Sequence, residues 1–273
     1  MSVRILVGDC REMLRTLPDE SVHCCVTSPP YFGLRDYGVE GQLGLESTPD
    51  EYVAEMVAVF REVHRVLRHD STLWINLGDS IYSGNGQPKG RDPRSPNRDW
   101  MRSRLRPLDA GGMGYPKKSL LGIPWRVAHA LQADGWTIRQ EIIWCRASAF
   151  MEPSVTDRPY RQHETIFLIS KSRRYWFDRT TLPEESVWHI EPERATREHC
   201  APFPTELVRR CVRAGCSPGG VVLDPFIGSG TTALVADRLG RDCIGVELNP
   251  AYAEMARRRI EADAGLFAEV AAE

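Results

Sequence analysis

The feature that most constrains this chain lies near its end. Val222-Leu223-Asp224-Pro225-Phe226-Ile227-Gly228-Ser229-Gly230-Thr231-Thr232 reads as a buried strand, a glycine turn and a helix start. A helix over Thr231–Leu239 and a second apolar run, Cys243–Val246, follow it. Strands alternating with helices call for a mostly parallel sheet covered on both faces. Only one more helical stretch, Pro250–Ala262, comes after this unit. The rest of the sheet must therefore be supplied by residues upstream.

Those residues are present. Val3–Val7, Val22–Thr27, Leu73–Leu77, Thr137–Trp144 and Thr165–Ile169 are apolar runs of strand length, and Tyr175–Phe177 reads as a shorter one. Cys10–Leu17, Pro124–Ala133 and Pro204–Ala214 read as helices. Val53, Met56, Val57, Phe60, Val63 and Leu67 recur at helical spacing, with Pro49 where a helix start tolerates it. A chain of 273 residues patterned in this way fits a single α/β domain with inserted loops, an open doubly wound sheet of Rossmann-like type.

Two segments stand apart. Ser83–Lys118 holds six glycines, five prolines and nine Lys/Arg against three acidic residues, and reads as a basic, mobile loop. The whole chain has a formal net charge of −2, so any basic footprint is local to this loop. Residues 147–198 are polar and near charge-neutral. Of the eight cysteines none forms a CxxC pair, so a zinc site is not expected, and scattered apolar-flanked cysteines suit reduced thiols in a cytoplasm. Cys24 and Cys25 are adjacent in a strand and should point to opposite faces. No run approaches the roughly 20 apolar residues of a membrane span.

The glycine turn suits a nucleoside-bearing ligand. Gly228 and Gly230 let the backbone approach it closely, and the helix beginning at Thr231-Thr232 favours an anionic group at its N-terminus. Asp224, at the carboxyl end of its strand, can accept from an amine; Glu247, at the end of the next, can accept from two ribose hydroxyls. A dinucleotide and S-adenosylmethionine both match this pattern. The acid just before the turn favours the second, since it would repel a pyrophosphate and attract an ammonium.

A second loop bears on the chemistry. Ser28-Pro29-Pro30-Tyr31 follows the Val22–Thr27 strand, and ligands of open α/β sheets bind beyond the carboxyl ends of strands. An exocyclic amine on a base is a poor nucleophile because its lone pair is conjugated into the ring. Acceptors for its hydrogens, here the Ser28 hydroxyl and the Pro29 carbonyl, would help it become tetrahedral as it attacks a methyl group. Pro29 and Pro30 stiffen the backbone and remove competing N–H donors. Tyr31 can stack on a base held out of its helix.

With these residues in view, the chain resembles the DNA amino-methyltransferases of bacteria and phages in their permuted, beta-class arrangement. The catalytic loop comes first, the glycine loop last, and the likeness spans nearly the whole chain. It implies S-adenosylmethionine as cofactor and double-stranded DNA as partner. It further implies that Gly8-Asp9-Cys10 holds the adenine, with Asp9 accepting from its amino group beside the Cys10 backbone. Phe203-Pro204, in His199-Cys200-Ala201-Pro202-Phe203-Pro204, would line the methionine end. Asp224, Pro225, Phe226, Gly228, Ser229, Gly230, Thr231 and Thr232 would form the cofactor turn, and Glu247, Leu248 and Asn249 the ribose site.

Serine in the catalytic loop is common in the family's N4-cytosine enzymes, where N6-adenine enzymes usually carry aspartate. Ser28 therefore points to cytosine N4, with adenine N6 as the alternative. Two more remote alternatives are a NAD-dependent oxidoreductase using the Gly228 turn and a non-catalytic nucleic-acid-binding module. In the basic loop, Arg91, Arg94, Arg98, Arg102, Arg104 and Arg106 are expected to meet phosphate while Trp100 stacks on a base or sugar. Residues 147–198 are the region where the family often reads its target. His163-Glu164 is taken as structural, and Trp74, Trp144 and Trp176 as core; Arg158 and Arg161 are as compatible with solvent as with phosphate. No metal is required. A homodimer and a cognate restriction enzyme are both compatible with this reading.

Overall fold

A computed structural model describes residues 2–87, 105–146, 155–182, 185–193, 203–264 and 269–272. Its elements run in order β1 (Ser2–Val7), α1 (Cys10–Arg15), β2 (Val22–Thr27), α2 (Pro49–Val66), β3 (Leu67–Leu77), α3 (Ile123–Ala133), β4 (Thr137–Cys145), β5 (His163–Ser170), β6 (Val187–His189), α4 (Thr205–Gly215), β7 (Val221–Asp224), α5 (Thr231–Arg238), β8 (Asp242–Glu247), α6 (Pro250–Ala264) and β9 (Glu269–Ala272). The strands form one sheet in the order β6-β4-β5-β3-β2-β7-β8-β1-β9. Only β5 runs against its neighbours, antiparallel to both β3 and β4. All the other pairs are parallel.

The two faces are covered by different parts of the chain. On one, Leu14 of α1, Met56, Val59, Phe60 and Val63 of α2 and Val127 and Leu131 of α3 pack on Cys25, Leu73, Ile75 and Phe167. On the other, Leu207, Val208, Cys211 and Val212 of α4, Val235 and Ala236 of α5 and Ala253, Ala256 and Ile260 of α6 pack on Cys24, Val26, Trp74 and Val222. Cys24 and Cys25 thus belong to opposite faces, as the strand period requires. The α2 start is locally encoded. Thr48 and Glu51 form a capping box around Pro49, which needs no donor at the first helical position.

Several expectations are revised. Tyr175–Phe177 is not a strand: it has no ladder partner, and Phe177 instead lies stacked on Trp74 while the Trp176 N–H donates to the Asp70 carbonyl. Trp176 is only partly buried, whereas Trp74 and Trp144 are core. Within the segment 147–198, the described part supplies β5 inside the sheet and β6 at its edge. The segment 83–118 is not irregular throughout. Its described ends, 83–87 and 105–118, fold onto the domain: the Ser83 and Gly84 N–H groups donate to the Leu108 carbonyl, and Leu108 and Asp109 are buried. No helix among the described residues is long and apolar enough to cross a membrane. No cluster of three potential metal ligands occurs among them.

Candidate functional site

Four neighbouring parallel strands, β2, β7, β8 and β1, end on one edge of the sheet. Each carries one of the motifs just beyond its end: Ser28–Tyr31 after β2, Pro225–Gly230 after β7, Leu248-Asn249 after β8 and Gly8-Asp9 after β1. Three strand spacings of roughly 4.8 Å give a row of about 14 Å, the scale of an extended nucleoside ligand.

The turn after β7 is tightly braced. Asp224 has no solvent exposure; it accepts from the hydroxyls of Thr27 (2.7 Å) and Thr232 (2.6 Å) and from the Phe226 N–H (3.0 Å). Burial pushes its carboxyl up to about 6. This alters the role expected of Asp224. With no exposure and three hydrogen bonds from the turn and Thr27, it acts there as a brace rather than as an exposed partner for an amine. The bond to Thr27 also ties the cofactor turn to the residue immediately before Ser28. Gly228 and Gly230 hold φ of +54° and +81°, and a Cβ on Gly230 would stand 2.9 Å from that of Ala256. The Arg259 guanidinium, from α6, donates to the Ser229 hydroxyl (3.2 Å) and to the Thr231 hydroxyl (2.9 Å).

Glu247 stands beside this turn. It accepts from the Gly228 N–H (2.9 Å) and the Asn249 N–H (2.8 Å), and burial raises its pKa. Each of its oxygens has one of these partners and a second lone pair, which fits a vicinal diol. The Gly8 N–H donates to the Glu247 carbonyl (3.0 Å), joining the ribose position to the Asp9 position. Asp9 caps α1, and Arg11, which also reaches Glu55, lowers its pKa. Cys10 is the buried first residue of that helix. Asn249 caps α6 through the Ala251 N–H. Pro204 is buried at the start of α4, with Phe203 packed against the α4–α6 core. The Asp9 carboxylate is taken up by Arg11, which donates to both of its oxygens, while the free lone pairs of Glu247 and the glycine turn between two braced strands fit S-adenosylmethionine.

The catalytic loop is built from more distant sequence. The Ser28 hydroxyl donates to the Tyr31 hydroxyl (3.3 Å), which donates to Glu164 Oε2 (2.5 Å). Asn76 Nδ2 donates to both Tyr31 (2.8 Å) and Glu164 (2.9 Å), and Arg146 pairs with the other Glu164 oxygen (3.1 Å). Burial, then the neighbouring Glu164 charge, raises the Tyr31 pKa, so the phenol keeps its proton. Its ring lies over Gly78, where a Cβ would come within 2.4 Å of it. The Tyr52 hydroxyl donates to the Pro30 carbonyl (2.9 Å), and the Ser80 hydroxyl to the Phe32 carbonyl (2.7 Å).

Glu164, read from sequence as structural, is bonded to the Ser28–Tyr31 loop, as is Asn76, and Arg146 pairs with Glu164; the sequence reading did not single out Asn76 or Arg146. A buried asparagine interrupting the apolar run Leu73–Leu77 was the available signal. Among the expected DNA contacts, Arg91, Arg94, Arg98, Trp100, Arg102 and Arg104 lie outside the described residues. Arg106, expected to meet phosphate, is turned inward and pairs with the buried Asp109 (2.7 Å), so it holds the fold of the loop base. Arg161 sits 3.6 Å from Asp79, whose carboxylate accepts from the first N–H groups of α3.

Comparison with known proteins agrees with this geometry. A DNA methylase family model, that of N6 and N4 methyltransferases, matches residues 22–258. The type II methyltransferase M.SmaI of Serratia marcescens is 45% identical over 271 residues, covering 95% of this chain and 91% of its own. M.Cfr9I of Citrobacter freundii is 43% identical, covering 94% and 87%. A structure from Thermus thermophilus, assigned as a DNA modification methylase and complexed with S-adenosyl-L-methionine, superposes with a TM-score of 0.69 at 28% identity over 99% of each chain. PvuII DNA methyltransferase, described as cytosine-N4-specific, shares the fold at a TM-score of 0.72 and 21% identity, over 95% of this chain and 86% of its own. These relatives set aside the dinucleotide reading of the Gly228 turn. The chain belongs to the N6/N4 DNA methylase family, whose methyl donor is S-adenosylmethionine.

Proposed function

We propose that this protein methylates the N4 amine of cytosine within a specific sequence of duplex DNA. One observation carries the choice of base: serine, Ser28, stands where the family's N6-adenine enzymes usually carry aspartate, and the state of its hydroxyl shows how it can still act as an acceptor. A carboxylate is an acceptor in any orientation, whereas a hydroxyl is an acceptor only when its own proton is held elsewhere. The Tyr31 proton is committed to Glu164, so Tyr31 can only accept from Ser28. The Ser28 oxygen thus turns its lone pairs to the site. It does for a weakly acidic amine what aspartate does in the loops of adenine enzymes.

The rest follows from the row of strand ends. The bound cofactor supplies an electrophilic methyl group on a cationic sulfur. Glu247 would hold the ribose hydroxyls and the Gly228–Gly230 turn the methionine end, with the adenine lying beside Gly8-Asp9. Ser28 and the Pro29 carbonyl accept from the two amino hydrogens, which draws the nitrogen lone pair out of conjugation and aims it at the methyl carbon. The Pro30 carbonyl accepts from the Tyr52 hydroxyl, which fixes the loop behind Ser28 and Pro29. Reaching this edge requires the target base to leave its stack. The Lys/Arg-rich segment around Trp100 supplies backbone contacts, and residues in 147–198 read the sequence. The names of the relatives, type II methyltransferases, support a DNA-modifying enzyme of that type.

The test is nucleoside analysis of duplex DNA incubated with the protein and labelled S-adenosylmethionine. Label in N4-methylcytosine is expected. Label in N6-methyladenine alone would reverse the assignment of the base while leaving the family intact.

A further inference from the structure

The reversed strand β5 has a chemical consequence. Because it alone runs antiparallel, its N-terminal residues His163 and Glu164 arrive at the edge where its neighbours end. Glu164 is thereby placed under Tyr31, with a side chain only 13% exposed. The hydrogen bonds there have one direction. Ser28 donates to Tyr31 and Tyr31 donates to Glu164, while Asn76 donates to both acceptors and Arg146 holds the far oxygen. No donor in this line points back toward the site.

Methyl transfer to an amine leaves a cationic nitrogen that must shed a proton. We propose that Ser28, Tyr31 and Glu164 are a proton-exit wire, and that the Glu164 carboxylate receives the proton displaced by methylation; this rests on the reading above that an exocyclic amine is the acceptor. The amine lone pair forms the N–C bond as the carbon–sulfur bond breaks, its electron pair staying on sulfur. In the same step the N–H pair returns to nitrogen as its proton passes to Ser28 Oγ, so that the base acts in the transition state. The Ser28 proton moves to Tyr31 Oη, and the Tyr31 proton to Glu164 Oε2. The products are a neutral methylamine and a neutral carboxylic acid, which discharges to water before the next turnover. No oxidant or further reactant is needed. The wire also explains why Tyr31 needs its hydroxyl in addition to its ring.

The experiment is single-turnover methyl transfer by the full chain, preloaded with duplex DNA and labelled S-adenosylmethionine, in H2O and in D2O. Glu164→Gln keeps the shape and the hydrogen bond but cannot hold the proton. It should slow transfer by about 10²-fold, the scale of a lost general base, and abolish the solvent isotope effect shown by the wild type. Tyr31→Phe should match it, and the double variant should be no slower than either single one, because they interrupt one path. Glu164→Asp should recover part of both the rate and the isotope effect, with cofactor and DNA affinity unchanged throughout. Wild-type rates in Glu164→Gln would overturn the wire, as would equal slowing of the Gln and Asp variants with an undiminished isotope effect. If the wild type methylates no amine, the reading of the acceptor fails; if it does and Glu164 is neutral, only the wire fails.

Discussion

The two halves of this site are built in opposite ways. The cofactor half is nearly contiguous: Asp224, the Gly228–Gly230 turn, Thr232, Glu247 and Asn249 fall within one strand-helix-strand unit and are bonded chiefly to one another. The catalytic half is a convergence. Ser28 and Tyr31 come from the end of β2, Asn76 from β3, Arg146 from beyond β4 and Glu164 from the start of β5. The first can be shaped by local turn chemistry. The second exists only when a long-range sheet has closed, and Thr27 joins the two through Asp224.

The contrast implies that catalytic variants should cost activity and cofactor variants stability. The largest effect expected is that of Ser28→Ala, which removes the acceptor. Loss of one positioned hydrogen-bonding group typically costs about 10²- to 10³-fold in kcat, here with thermal stability and cofactor affinity retained. Equal losses of stability and activity would break the distinction. Asp224→Asn tests the other half. The native carboxyl titrates near 6, above its unfolded value of 3.8. Below pH 4 both states are protonated and the burial carries no penalty. Between about pH 4 and 6 the unfolded state loses its proton first, so stability from this group falls as pH rises and is flat above 6. The Tm difference between Asp224→Asn and wild type should therefore shift in favour of the variant across that window. The shift corresponds to roughly 3 kcal/mol at most. A difference constant from pH 4 to 7 would contradict the origin assigned to the shift.

Gly230→Ala forces an L side chain into a left-handed turn facing Ala256. A cost of about 1–3 kcal/mol and weaker cofactor binding are expected, measurable by denaturation and calorimetry. Thr48→Ala removes the α2 capping box, apart from the hydrogen-bonded groups of both halves. It should cost about 1 kcal/mol and leave kcat alone; a fall in kcat would show that the two halves are less separable than their bonding suggests.

The same contrast explains what could be read in advance. The Asp224–Thr232 turn was legible because glycine, proline and acid spacing encode a turn directly, and Glu247 stands one strand later. The sheet was legible in outline from its apolar runs, although β6 and β9, short edge strands, carry little pattern. Glu164 and Arg146 were not legible as site residues. Each looks like an ordinary polar residue at a strand end, and only the reversal of β5 between β3 and β4 brings them together. Arg106 was misplaced for a related reason: it belongs to a run of arginines, and Asp109, three residues on, was the hint that one of them would be drawn inward.

In the proposed reaction Ser28, its proton pinned by Tyr31, presents an acceptor to a cytosine amine. The most direct measurement is mass analysis of nucleosides from DNA methylated by the wild type and by Ser28→Ala, with modified positions located by sequencing. N4-methylcytosine at one sequence context is expected from the wild type, and a rate of its formation at least about 10²-fold lower from the variant. Undiminished N4-methylcytosine from Ser28→Ala, or N6-methyladenine as the product of the wild type, would contradict that reaction.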